Sequence, residues 1–319
     1  MEEELRQRTI NRLKAGASRN LCSGFIAQMN SLNRYELYTT LLFERLERKV
    51  EVVETLYKEG LQNWNQTFYL LYFRTLGDSK NQQCYLDLAR RVPYQILMRE
   101  RSTPHAIEAM LLGASGLLAL YDIDEHIILL NRIYEHLAVK YQIETIPPRQ
   151  WDLTSIRPAN HPVLRLAEVS EFFSQDDFLF DRIMECRTVE DVHKLFRTEA
   201  SEYWSTHYIP GIESDESPKR IGNFKAEMIG INLVAILQFT YGSYMSKEHL
   251  RESALNLLER IPAENNRYIR NWYDASGLKA RNAFESQALL QLSKEYCQEK
   301  RCENCPVGRR ILKRLNNDC

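Results

Sequence analysis

Three cysteines close to the C-terminus carry the clearest chemistry in this sequence. They are Cys297, Cys302 and Cys305, in the run YCQEKRCENCPVG. Cys302 and Cys305 stand on a two-residue spacer, at which two thiolates reach one metal ion. Cys297 adds a third sulfur five residues upstream. Three soft donors suit zinc or an iron–sulfur cluster. A structural zinc site takes four ligands, and downstream only Cys319, the last residue, is left to supply one. The arrangement is similar to the cluster loop of some helical DNA glycosylases, where Cys-x-x-Cys-Pro also occurs, although that loop uses four cysteines at other spacings. The competing reading is three reduced thiols packing as small hydrophobes at a helix end. Cys22, Cys84 and Cys186 are scattered and read as buried packing residues.

The same region is basic. From Cys297 to Cys319, Lys300, Arg301, Arg309, Arg310, Lys313 and Arg314 face only Glu299, Glu303 and Asp318. Arg267, Arg270, Lys279 and Arg281 come shortly before, with Tyr268, Trp272 and Tyr273 interleaved. Cationic side chains neutralise phosphates and aromatic rings stack on bases, so the pattern points to nucleic acid. A solvated helical face would use the same residues.

A third candidate is the loop RPANHPVLR. Its Arg157, Asn160, His161 and Arg165 could hold an anion. The stronger reading is structural: Asn160 caps the next helix, Pro162 fills its first turn, and Arg157 ties the loop down. The segment AENN after Pro262 reads in the same way, with Asn265 or Asn266 as a cap and Glu264 bound to Arg267 or a backbone donor. Enzyme signatures do not assemble. Glu190 and His193 form one Glu-x-x-His where a di-iron bundle needs two, and no phosphate loop or nucleophile elbow occurs. No catalytic residue is assigned.

The elements that must position these groups are helical. Ile107, Met110, Leu111, Ala114, Leu117 and Leu118 mark one stripe between Thr103 and Leu118. Tyr35 to Tyr57, Lys247 to Ile261 and Arg281 to Tyr296 show comparable stripes. Helix starts are marked at Ser102-Thr103-Pro104, Thr188 and Ser246. No strand alternation is found. Proline-rich loops cross 146–162 and 209–218. The expected fold is all-α, an irregular multi-helix array of an N-terminal part, 1–150, and a C-terminal part, 151–319, that ends in the cysteine knuckle.

The formal net charge of -1 gives no global pull toward nucleic acid, so any such surface is local. The opening MEEELRQRTINRLKAG has no apolar core segment, and no run reaches membrane-span length; the apolar stretch from Ile229 to Gly242 reads as a buried helix. Seven irregularly spaced cysteines suit a reducing compartment, so a cytoplasmic location is expected.

Several segments together resemble an uncharacterised bacterial family known as domain of unknown function 2851. They are Phe43 to Lys49, Trp64 with Thr67-Phe68-Tyr69, Glu108 to Gly113, Arg157 to Pro162 with Arg165, Tyr203-Trp204 with His207-Tyr208, Ala263 to Asn266, Ser286 to Leu289, and the cysteine run closing at Gly308. The resemblance covers nearly the whole chain from about Cys22. His161 and Glu168 depart from the residues usual in the family. Longer members carry upstream Gly-Pro-Asp-Phe and Val-Glu-Ile-His segments that look like a nuclease core. Those segments do not occur here, so the resemblance implies the helical part without nuclease chemistry. The leading expectation is a non-catalytic module that meets nucleic acid through its C-terminal third. The alternatives are a structural or protein-interaction scaffold, and an enzyme whose site is assembled across helices. Nucleic acid or another protein is the expected partner, with no membrane.

Overall fold

The computed structural model describes residues 2–14, 18–77, 80–121 and 124–317. The fold is all-α, with one two-stranded ladder among the described residues. No helix is long and apolar enough to cross a membrane among those residues. The chain forms two compact units. Met1–Glu51 and Arg251–Cys319 make a terminal unit, and Val52–Leu250 makes a central unit. The proline-rich segment 146–162 runs inside the central unit.

At the heart of the central unit is the helix Ala106–Ser115. Every one of its residues is buried, not only the predicted stripe. Gly113 allows the close approach of the helix Glu125–Tyr141, since a Cβ there would lie 2.1 Å from the Tyr134 ring. The helix expected from Thr103 begins later, after His105, which sits at φ 58°. It ends at Gly116, whose φ of +73° and proximity to the Ile146 carbonyl exclude a side chain. Leu117 and Leu118 remain buried on a following 3-10 turn. The helices Trp64–Leu76 and Pro162–Gln175 add an aromatic layer, in which Phe68, Tyr69, Tyr72 and Phe73 meet Phe172 and Phe173. Such rings bury large apolar areas in edge-to-face contacts. The loop expected at 209–218 contains a small hairpin that sequence alternation did not show. His207–Ile209 pairs antiparallel with Ile212–Glu213 across Pro210 and Gly211, the latter at φ 73°.

In the terminal unit the helix Ser18–Gln28 packs on Arg267–Ser276, and Glu2–Lys14 packs on Pro306–Asn317. The Ser23 hydroxyl donates to the Ala275 carbonyl at 3.0 Å and fixes the first of these pairs. Asn266 caps Arg267–Ser276 by accepting from the Tyr268 and Ile269 amides. Glu264 binds Gln287 and Asn266 rather than Arg267, so AENN is a turn. The helix Ala283–Gln291 is wholly buried and widens into a π turn over Leu292–Cys297.

Candidate functional site

That π turn matters because extra-wide turns re-aim the side chains that follow them. Here it carries Tyr296 and Cys297 to the wall of a cavity of about 310 Å³ in the terminal unit. The chain then reverses through Lys300 at φ 53° and brings Cys302 and Cys305 to the same wall. The fourth cysteine is Cys22, from the helix Ser18–Gln28. Sequence spacing had separated it from the other three by most of the chain. Cys319 lies outside the described residues.

Local structure holds these thiols in place. Trp272 donates its indole N–H to Ser293 Oγ at 2.6 Å, which locks Arg267–Ser276 against the π turn. Tyr296 donates its hydroxyl to Glu44 at 2.9 Å. Gly308 lies against the Cys302 carbonyl, which a Cβ would meet at 2.0 Å, so the start of Pro306–Asn317 folds tightly under the cysteine loop. The backbone N–H groups of Val307 and Gly308 point at the Cys305 thiol and partly offset the upward push that burial gives its pKa. Burial, then the proximity of Cys297, Cys305 and Cys302, raises the Cys22 thiol to about 12. Burial raises Cys302 as well, against the pull of the Lys14 charge. Leu13, Trp272 and Leu292 give the cavity an apolar wall, and Lys14 and Lys300 stand at it. Among the described residues no three His, Cys, Asp or Glu side chains are drawn together as ligands of a single ion.

The predicted basic residues lie in the terminal unit but differ in their freedom. Arg267, Arg270, Lys279, Arg301 and Arg309 are exposed. Arg267 covers one side of Tyr268, 4.9 Å from the ring centroid, and Lys294 stands 5.5 Å from the same ring. Arg270 reaches Asn265 at 3.4 Å. Arg281 is tied to Glu285 at 2.7 Å, and Arg310 donates to the Asn33 carbonyl at 3.1 Å.

The loop candidates belong to the central unit, and two of their expected roles change hands. Pro158–Asn160 forms a 3-10 turn, so the cap of Pro162–Gln175 is His161, whose Nδ1 accepts from the Val163 amide at 3.3 Å. Burial lowers the His161 pKa to about 4, and Tyr121 lies 2.9 Å from its Nε2. The loop is tied down by Arg165, not by Arg157. Buried Arg165 donates to Glu168 at 2.5 Å, to the Ala159 carbonyl at 2.7 Å and to Asn160 Oδ1 at 2.9 Å. Arg157 is exposed.

The central unit also holds a polar cluster that motif reading missed. Glu108 sits on the buried helix Ala106–Ser115 with 2% exposure. Its carboxylate meets His105 at 3.3 Å and His126 at 3.2 Å. It also accepts from Ser201 at 3.2 Å and from the Trp204 indole at 2.6 Å. Burial alone would raise its pKa; the bonds from both histidines, the His126 charge and the Trp204 donor outweigh this and bring it to about 2. His126, Tyr203 and His207 stack beside it at 4.2 Å spacings. A glutamate within an otherwise apolar helix was the available signal. Glu108, His105 and His126 are not part of the lining of the cysteine cavity.

A family model described as "Protein of unknown function (DUF2851)" matches residues 1–267. The cysteine run and Ser286 to Leu289 lie beyond that span. No curated protein and no solved structure matches the chain.

Proposed function

The chain belongs to the DUF2851 family, and from that premise we propose that its terminal unit is a nucleic-acid-binding module that grips the phosphate backbone through Arg267, Arg270 and the basic helix Pro306–Asn317. The observation that carries this reading is a separation of charge that the whole-chain total conceals. The terminal unit holds 22 Lys and Arg against 16 Asp and Glu, a net of +6. The central unit holds 20 against 27, a net of -7. A local positive field attracts polyanions even when the molecule as a whole is close to neutral. Arg267 and Arg270 are exposed on one helix beside Tyr268 and Tyr273, a combination suited to backbone contact with base stacking. Arg309, Lys313 and Arg314 add exposed cations on the last helix.

The experiment is an electrophoretic shift of full-length protein with single-stranded and duplex oligonucleotides across a salt series. The reading expects a complex whose affinity falls about tenfold to a hundredfold between 50 and 200 mM salt, because bound cations release counterions. The double variant Arg267→Glu with Arg270→Glu should weaken binding and flatten the salt slope. Absence of a complex at low salt overturns the proposal.

A further inference from the structure

We infer that Cys22, Cys297, Cys302 and Cys305 together ligate one iron–sulfur cluster, with Cys22 as the ligand that completes the set. The inference stands on the cavity alone and does not depend on nucleic-acid binding.

The first ground is number and chemistry. Four cysteines line one cavity, and four cysteine thiolates are the usual ligand set of [2Fe–2S] and [4Fe–4S] clusters. The second is mutual proximity: the Cys22 thiol feels Cys297, Cys305 and Cys302, so the four share one neighbourhood, while among the described residues no three of them are drawn together as ligands of a single ion. The third is the surrounding shell. Val307 and Gly308 aim backbone N–H groups at the Cys305 sulfur, and hydrogen bonds of this kind stabilise ligating thiolates. Lys300, and Lys14 in its ion pair with Glu303 at 2.6 Å, stand at a site that four thiolates would make negative, while Leu13, Trp272 and Leu292 keep one wall apolar.

The fold explains why Cys22 is available. The Ser23 bond to Ala275 pins the helix Ser18–Gln28 to Arg267–Ser276, and Trp272 of the latter helix pins the π turn that delivers Cys297. One chain of contacts thus sets the N-terminal ligand against the C-terminal three. On ligation four S–H bonds break, four Fe–S bonds form, and four protons pass to solvent. The core itself comes from ferric iron and sulfide; any ferrous iron in it arises from ferric iron reduced by the added thiol, which is oxidised to its disulfide, so no electron transfer is required of the protein.

The test uses the full chain purified anaerobically and incubated with iron salts and sulfide under a thiol reductant, then desalted. Expected are broad absorption in the visible and iron and acid-labile sulfide in equal amounts. Four of each per chain would indicate [4Fe–4S] and two of each [2Fe–2S], and both support the inference. Cys22→Ser should lose most of the iron and sulfide while keeping its far-ultraviolet circular dichroism. Cys84→Ser, which alters a cysteine of the central unit, should retain them. Protein that takes up zinc or no metal, without sulfide, overturns the inference. So does a folded Cys22→Ser protein that binds the same iron and sulfide as wild type. Should Cys22→Ser fail to fold, Cys302→Ser is read in its place by the same criteria.

Discussion

The chain gathers two clusters of ligand-type side chains, one centred on buried Glu108 and one reaching from buried Cys305 out to exposed Cys297, and they are built on opposite terms. Around Glu108 in the central unit every carboxylate oxygen has donors, and both histidines are within hydrogen-bond distance. Cys22, Cys297, Cys302 and Cys305 in the terminal unit line one cavity of about 310 Å³. A buried charge that is fully paired is at rest; its removal harms the fold and frees no chemistry. The four cysteines instead line a cavity, with backbone N–H groups at Cys305. Clustering alone does not mark a site: a carboxylate closed in by its own donors and a set of thiols lining a cavity offer different chemistry.

The largest expected effect tests the closed half of that comparison. Glu108→Ala strands His105, His126, Ser201 and Trp204 without their acceptor and should cost about 3–5 kcal/mol, read by chemical denaturation. Ligand binding in the terminal unit should be untouched. A variant as stable as wild type would show that the cluster is not a structural hub. The same carboxylate makes a pH prediction. Its folded pKa of about 2 lies below the ordinary glutamate value of 4.5, so its contribution is present above pH 4.5 and is lost as pH falls toward 2. His105 has the opposite sign: its pKa is raised by the hydrogen bond to Glu108, so its contribution is full below 6.5 and fades as pH climbs through the raised value. Stability of the central unit should therefore decline in acid, and Glu108→Gln should flatten the decline.

Next in size is Gly308→Ala. The added Cβ would meet backbone at 2.0 Å, and the chain must move. Overpacking of this kind costs roughly 1–3 kcal/mol. The account expects the loss to come with weaker iron and sulfide retention, because the displaced segment carries Cys302 and Cys305. Smaller again is Arg165→Lys, which exchanges a planar fork for a single ammonium and should lower stability by about 1–2 kcal/mol through loss of the Ala159 and Asn160 bonds. Arg157→Lys should stay within about 0.5 kcal/mol of wild type, since that side chain is exposed. A larger effect at Arg157 than at Arg165 would reverse the assignment of roles in this loop.

Much of the fold was legible because helical stripes are local. Ile107 to Leu118, the Thr188 capping box with Asp191 and the Asn266 cap are all written within a few residues of themselves. The hairpin at His207–Glu213 was not, since strands of three and two residues are too short to alternate visibly. Asn160 is the expected cap, but the 3-10 turn takes it up and His161 caps the helix instead. The cysteine site was half legible. Cys302 and Cys305 announce themselves by spacing, whereas Cys22 sits on a helix with Phe25 and Ile26 and follows ordinary packing periodicity. Its role depends on a contact between the two ends of the chain, which no local pattern records. The unsatisfied need for a fourth thiolate was the one hint. The charge separation was equally hidden, because it emerges only when residues 1–51 are counted with 251–319.

The central claim is that Cys22 works with three cysteines some 275 positions away. Differential alkylation under anaerobic conditions, with each cysteine located by peptide mass spectrometry, tests it most directly. After loading with iron and sulfide, Cys22, Cys297, Cys302 and Cys305 should be protected as a set and should become reactive together when the metal is released by chelation at mild acidity. Labelling of Cys22 that is the same before and after loading, while the other three change, would contradict the account.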